Sequence, residues 1–303
     1  MAGEEIGHPD PVRETLMPTD CLFRDDAYLK SCEARVLSVT EQGGIVLDCT
    51  VFYANSGGQP GDSGTLTTSG GCCLAIDTAI YIDAAKSEIA HVPAAGSPAL
   101  AVGDRVTATI DWDKRYARMR MHTALHLLSA VLPYAVTGGA VGESESRLDF
   151  DIPEAGLDKD AITAKVNEIV GSDAAVTSRW ISDEDLAANP GLVKTMSVKP
   201  PMGTGRVRLI EIAGFDLQPC GGTHVRATKE IGKVRVTQIE KKGKLNRRVR
   251  IALMEGANSD ERAEIRKQMA EVDRMARRRV RQSEPSRRRR FLLSAEPKAQ
   301  RKG

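Results

Sequence analysis

Between Cys32 and Ile110 the apolar residues come in short runs that alternate with polar ones and are broken by turn residues, and at Asp111 the period changes to that of a helix. The runs at 34–39, 45–53 (after the Gly43-Gly44 turn), 74–82, 88–92 and 106–110 predict strands, and short strands at this spacing close a small β-barrel or a strongly bent sheet. Beyond the change, Trp112, Tyr116, Met119, Thr123, Leu127 and Val131 follow a helical stripe, with Asp111 as the N-cap and Pro133 as the stop. A second helix is expected over 158–170, strands over 206–212, 233–240 and 247–253, and a charged helix from about residue 259. This order predicts an α+β chain in three parts: a β-barrel domain over 1–110, an α+β domain over 111–255, and a helical extension with a basic tail over 256–303.

No stretch approaches the roughly 18 apolar residues that a membrane helix requires, so no membrane partner is expected. Residues 1–18 mix acids with bases and lack an apolar core ending at small residues, so no secretory signal is read there. Six Cys without scaffold-like spacing, two of them adjacent, point to free thiols in a reducing, cytoplasmic compartment. The formal net charge of +2 conceals a segregation: +10 over 274–303, +8 over 226–250 and −16 elsewhere. Such concentrated positive charge suits a polyanion, and Lys241, Lys242, Lys244, Arg247 and Arg248 form the cluster expected to face one. The tail around Arg287 to Arg290, with Pro, Ser and Gln beside it, reads as disordered.

Of the five His, His122 and His126 lie four apart in the long helix, which puts both imidazoles on one face, one turn apart. About a hundred residues on, Cys220-Gly221-Gly222-Thr223-His224 sets a thiol and an imidazole around two glycines, whose conformational freedom lets the chain curl so that both side chains converge. Three imidazoles and one thiolate form a zinc-type donor set, with oxygen ligands expected instead for magnesium or calcium. One zinc ion held by His122, His126, Cys220 and His224 is therefore expected. His8 and His91 read as ordinary residues, and the five other cysteines as small apolar fillers.

His122-Thr123-Ala124-Leu125-His126 followed by Cys220 to His224 resembles the editing domain of alanyl-tRNA synthetase and its free-standing relatives, the alanyl-tRNA editing proteins. The run FYANSGGQPGDSG over 52–64 is similar to the glycine-rich motif of that family's barrel, and Arg147-Leu148-Asp149-Phe150 and Phe215 to Cys220 agree as well. The last resembles the free-standing proteins more than the synthetase. Asn55 departs from the pattern, standing where many synthetase relatives carry an acid, and the Arg-rich extension matches nothing in the family. The resemblance implies a zinc-containing hydrolase that removes serine, and in some members glycine, wrongly attached to alanine tRNA. Because the chain starts almost at the barrel, ligase activity is not expected.

Alanine and serine differ by one hydroxyl, and a small pocket rejects such an addition by no more than about a hundredfold, so a second site that hydrogen-bonds the hydroxyl is needed. Gln59, Thr123 and Thr223 are the candidate residues for this catalytic and reading role, with Ser56 beside them. For the two threonines helix back-bonding or loop support is an equally weighted alternative. Glycines 57, 58, 61 and 64 are read as barrel turns that also let backbone amides approach a substrate. No Glu follows the first His in the HExxH manner, so a metalloprotease lacks its general base. Two rival readings stand beside the deacylase: a tRNA-binding module with a purely structural zinc, and a zinc hydrolase of a small ester or amide.

Overall fold

The computed structural model describes residues 18–153, 156–194 and 205–254. The extension and tail expected beyond residue 255 lie outside the described residues. The first eight strands are β1 (Asp20–Cys21), β2 (Ser31–Val39), β3 (Ile45–Leu47), β4 (Cys49–Thr50), β5 (Gly64–Thr68), β6 (Cys73–Tyr81), β7 (Ile89–Pro93) and β8 (Arg105–Ile110). Six of them close a barrel in the order β2-β3-β7-β6-β5-β8, antiparallel throughout. Alternation along β6 and β8 sends Leu74, Ile76, Val106, Ala108 and Ile110 inward, where they join Phe23, Phe52 and Leu66 in one apolar cluster.

The barrel departs from the sequence reading at two places. The run at 45–53 is not one strand: it breaks after Leu47, resumes at Cys49–Thr50, and its end, Val51 to Tyr53, is buried without strand pairing. A Thr-rich run that alternation alone does not mark forms β5, paired with both β6 and β8. The six cysteines are free, and Cys72 and Cys73 are exposed at the β5–β6 turn, so these two are not apolar fillers.

Helix α1 (Trp112–Val131) begins where the period changes, with the Asp111 side chain accepting from Lys114 N, and ends before Pro133. Its middle is buried on every side, from Met121 to Ser129, because it packs against the second core and not merely along one stripe. The rest of the fold follows as β9 (Val136–Ala140), β10 (Glu145–Asp151), α2 (Lys159–Gly171), β11 (Val176–Ser182), α3 (Asp183–Ala188), β12 (Arg206–Ile212), β13 (Asp216–Pro219), β14 (Val234–Lys241) and β15 (Asn246–Leu253). These form a four-stranded sheet, β14-β15-β10-β9, and a three-stranded one, β11-β12-β13. The architecture is α+β, as expected, with one closed barrel. Among the described residues no helix is long and apolar enough to cross a membrane.

Two apolar clusters result, and Trp112 packs against both. They are tied by a buried ion pair. Arg115, on α1 and fully buried, donates through Nε to Asp62 Oδ2 at 3.0 Å, and its Nη2 reaches the same oxygen. Its other donors meet the carbonyls of Ala27 (2.9 Å) and Val51 (2.6 Å). A second tie is Tyr28 Oη, which donates to Glu230 Oε2 at 2.6 Å.

His91 is an ordinary core histidine in its role but not in its titration. It is wholly buried, with Nδ1 donating to Ile45 O (2.9 Å) and Nε2 accepting from Thr50 Oγ1 (2.8 Å), and burial pushes its pKa down to about 4. Between about 4 and the unfolded value near 6.5 the unfolded chain binds the extra proton, so this residue's contribution is complete above about 6.5 and is lost as pH falls toward 4. The full difference amounts to about 3 kcal/mol. Denaturant titrations at several pH values are expected to show a flatter acid limb for His91→Gln than for the parent. Parallel curves would refute this assignment.

Candidate metal centre

The two half-sites meet. One donor atom from each of His122, His126, Cys220 and His224 lies within 4.8 Å of every other. Cys220 Sγ stands 3.3 Å from His224 Nε2 and 3.6 Å from His122 Nε2, and the three imidazole centroids are 4.3 to 5.3 Å apart. Helix α1 supplies the first pair. The loop after β13 supplies the second, and Arg208 on β12 shapes that loop by donating to Cys220 O (3.3 Å) and Gly222 O (2.8 Å). Glycine is required at 222, where any Cβ would collide with the His122 ring and Gln59 Oε1.

Each ring is held by its Nδ1, which leaves Nε2 toward the centre. His122 Nδ1 donates to Gln59 Oε1 (2.8 Å), and the amide orientation follows because the same oxygen accepts from Thr223 N–H (3.2 Å). His126 Nδ1 donates to Asp216 Oδ2 (3.0 Å). His224 Nδ1 donates to Thr123 Oγ1 (3.1 Å), whose own hydroxyl proton goes to Met119 O (2.9 Å). Rings oriented from behind in this way are the usual support of a metal-binding histidine. The donor chemistry therefore fits zinc: three imidazole Nε2 atoms and one sulfur converge without an intervening carboxylate.

Burial alone would raise the Cys220 thiol, but His122 and His224 outweigh it and hold the pKa well below the ordinary thiol range. Burial and the neighbouring His122 charge push His224 down to about 3, keeping it neutral. For His126 burial disfavours the imidazolium, yet Asp216 and Cys220 raise it to about 9. A cation held by these residues would have a thiolate donor, and His126 would have to bind it without a proton on Nε2.

The candidate readers Gln59, Thr123 and Thr223 are all brought to the cluster and all fully buried. Their polar atoms serve the ligand set: Gln59 Nε2 donates to Thr223 Oγ1 at 2.8 Å, and Thr123 makes the helix back-bond weighed as its alternative. Ser56 and Gly57 line the adjoining cavity, whereas Gly61 and Gly64 let neighbouring strand carbonyls approach. Sequence reasoning missed Asp216 and Gln218 as supports; Gln218 Nε2 donates to Asp216 Oδ2 (2.7 Å) and Lys194 Nζ to Asp216 Oδ1 (2.5 Å). The signal was present, since 216, 218 and 220 alternate along one strand and its end, on the face that carries the ligand.

The cavity beside the cluster has a volume of about 620 Å³, within the range of ligand sites, and is lined by His122, His126 and Cys220 among others. The expected basic cluster on β14–β15 is partly neutralised. Arg248 pairs with Asp149 and Lys242 with Glu240, and Arg247 donates to the carbonyls of Gly243, Lys244 and Asn246, whereas Lys241 and Lys244 stay exposed.

Residues 207–250 match a family model described as the threonyl and alanyl tRNA synthetase second additional domain, and residues 25–114 one described as tRNA synthetases class II (A). The alanyl-tRNA editing protein AlaX-M of Methanosarcina mazei is 35% identical over 247 residues, covering 79% of this chain and 98% of its own length. The chain belongs to the alanyl-tRNA editing protein family. AlaX-M of Saccharolobus solfataricus is 34% identical over 240 residues, covering 76% of this chain and 97% of its own. The alanine–tRNA ligase of Pyrobaculum aerophilum is 33% identical over 233 residues, covering 73% of this chain but 25% of the ligase. Within the editing-protein family, then, this chain aligns over nearly the whole length of its free-standing relatives.

Proposed function

We propose that this chain is a zinc-dependent aminoacyl-tRNA deacylase that removes serine from mischarged Ser-tRNA(Ala). The single observation that carries the reading is the meeting of three Nε2 atoms and one thiol beside a cavity large enough for an aminoacylated ribose. The editing relatives and the motif resemblance supply the substrate class. When bound, zinc would supply positive charge to polarise the ester carbonyl and to favour an attacking water. The protein's own part is orientation. Gln59, Asp216 and Thr123 hold the imidazoles, Arg208 fixes the ligand loop, and the closely packed walls limit the poses open to the ester. Thr223 Oγ1 accepts from Gln59 Nε2 and so steadies the amide that orients His122. Lys241 and Lys244 would meet phosphates of the acceptor stem.

Hydrolysis of Ser-tRNA(Ala), Gly-tRNA(Ala) and Ala-tRNA(Ala) by the zinc-loaded protein tests the reading. Serine release is expected to exceed alanine release by more than about a hundredfold, as for a site that hydrogen-bonds the distinguishing group. Equal rates would overturn proofreading, and no hydrolysis with zinc bound would leave a binding module.

A further inference from the structure

The described body of this chain is rich in acids, yet the cavity beside the metal cluster is lined by Arg24, Lys86, Lys194, Arg206 and Arg208, with no Asp or Glu among its described lining residues. Two of these cations already have polar partners: Lys194 pairs with Asp216, and Lys86 donates to Ser56 Oγ at 2.8 Å. Arg24 and Arg208 also bond, but only to neutral groups. Neither forms an ion pair among the described residues. Arg24 donates to Tyr81 Oη at 3.3 Å, and Arg208 gives Nη1 to loop carbonyls while its buried Nε has no partner. Both arginines line the same cavity, and none of its described lining residues is a carboxylate. In the same lining stands Trp180, 37% exposed, with Arg206 Cζ 4.4 Å from its ring centroid.

Guanidiniums without a carboxylate partner next to an exposed aromatic ring are what an unpaired nucleic-acid strand requires: charge for the phosphates and a flat face for a base. Resting on the function proposed above, we propose that Arg24 and Arg208 hold a phosphodiester of the unpaired RNA 3′ end and that Trp180, steadied by Arg206, receives the adjoining base. The 3′ end would thus be gripped by chemistry common to all sequences, and the last ribose carried to the metal cluster.

The test is binding, with zinc content measured in every sample. Two RNA hairpins share one stem, one ending in an unpaired CCA and the other blunt. The parent is expected to prefer the tailed hairpin. Trp180→Ala should weaken tailed binding about tenfold and Trp180→Phe restore most of it, with the blunt hairpin unaffected. Arg24→Gln should lower the slope of log affinity against log salt by about 0.7 for the tailed hairpin alone. Equal losses on both hairpins, or none on either, would overturn the subsite. Deacylation by the parent, assayed in parallel, separates the two claims: hydrolysis without tail-dependent losses sinks the subsite only, and tail-dependent losses without hydrolysis sink the deacylase only.

Discussion

A Cys220→Ala chain is expected to lose zinc by more than about a hundredfold in affinity, and deacylation with it, while remaining folded. Removal of partners that merely orient a ligand costs about 10- to 100-fold, and Cys220 is itself the donor. It is also the one donor that would bind as an anion, held as thiolate by His122 and His224, so its loss leaves a dication with imidazole ligands alone. Asp216→Asn supplies the graded comparison. It keeps an oxygen for His126 Nδ1 but gives up the charge, so affinity should fall within about 10- to 100-fold. Chelator competition gives both affinities, and far-ultraviolet circular dichroism reports the fold. Retention of parental zinc affinity by Cys220→Ala would show that the thiol is not a ligand.

The second large effect is on stability. Arg115→Ala should destabilise the protein by about 3–5 kcal/mol, because it leaves the Asp62 carboxylate buried without its cation and frees the carbonyls of Ala27 and Val51. Asp62 Oδ2 still accepts from Tyr53 N, and Arg118 Nη1 stands 3.9 Å from Oδ1, too long for strong rescue. Replacing both partners, with Arg115→Met and Asp62→Leu together, should recover most of the loss, since an apolar pair carries no desolvated charge. Urea midpoints for Arg115→Met, Asp62→Leu and the double variant close the cycle. A loss under about 1 kcal/mol for Arg115→Ala would mean that water reaches the carboxylate.

The two halves of the His/Cys cluster were legible because each is local: a four-residue spacing on a helix, and a five-residue loop around two glycines. The change of period at Asp111 likewise located α1 to within a residue of its observed start. Partners that depend on tertiary approach were not legible. Asp62 and Arg115 are 53 residues apart, and nothing in either neighbourhood marks them as a pair. Gln59 was singled out for its motif, but its two roles, accepting from His122 and fixing Thr223, follow only from the loop's fold against α1. The basic run on β14–β15 shows the opposite failure: charge counted along the chain included Glu240, which pairs with Lys242 two residues on, but not the distant Asp149, which faces Arg248 across the sheet.

Helix α1 gives two residues to the metal cluster, one to the barrel's buried ion pair, and Trp112 to both apolar clusters. A gene fragment encoding either cluster by itself would leave a charge stranded or an indole half bare. The two clusters are therefore expected to fold together and not apart.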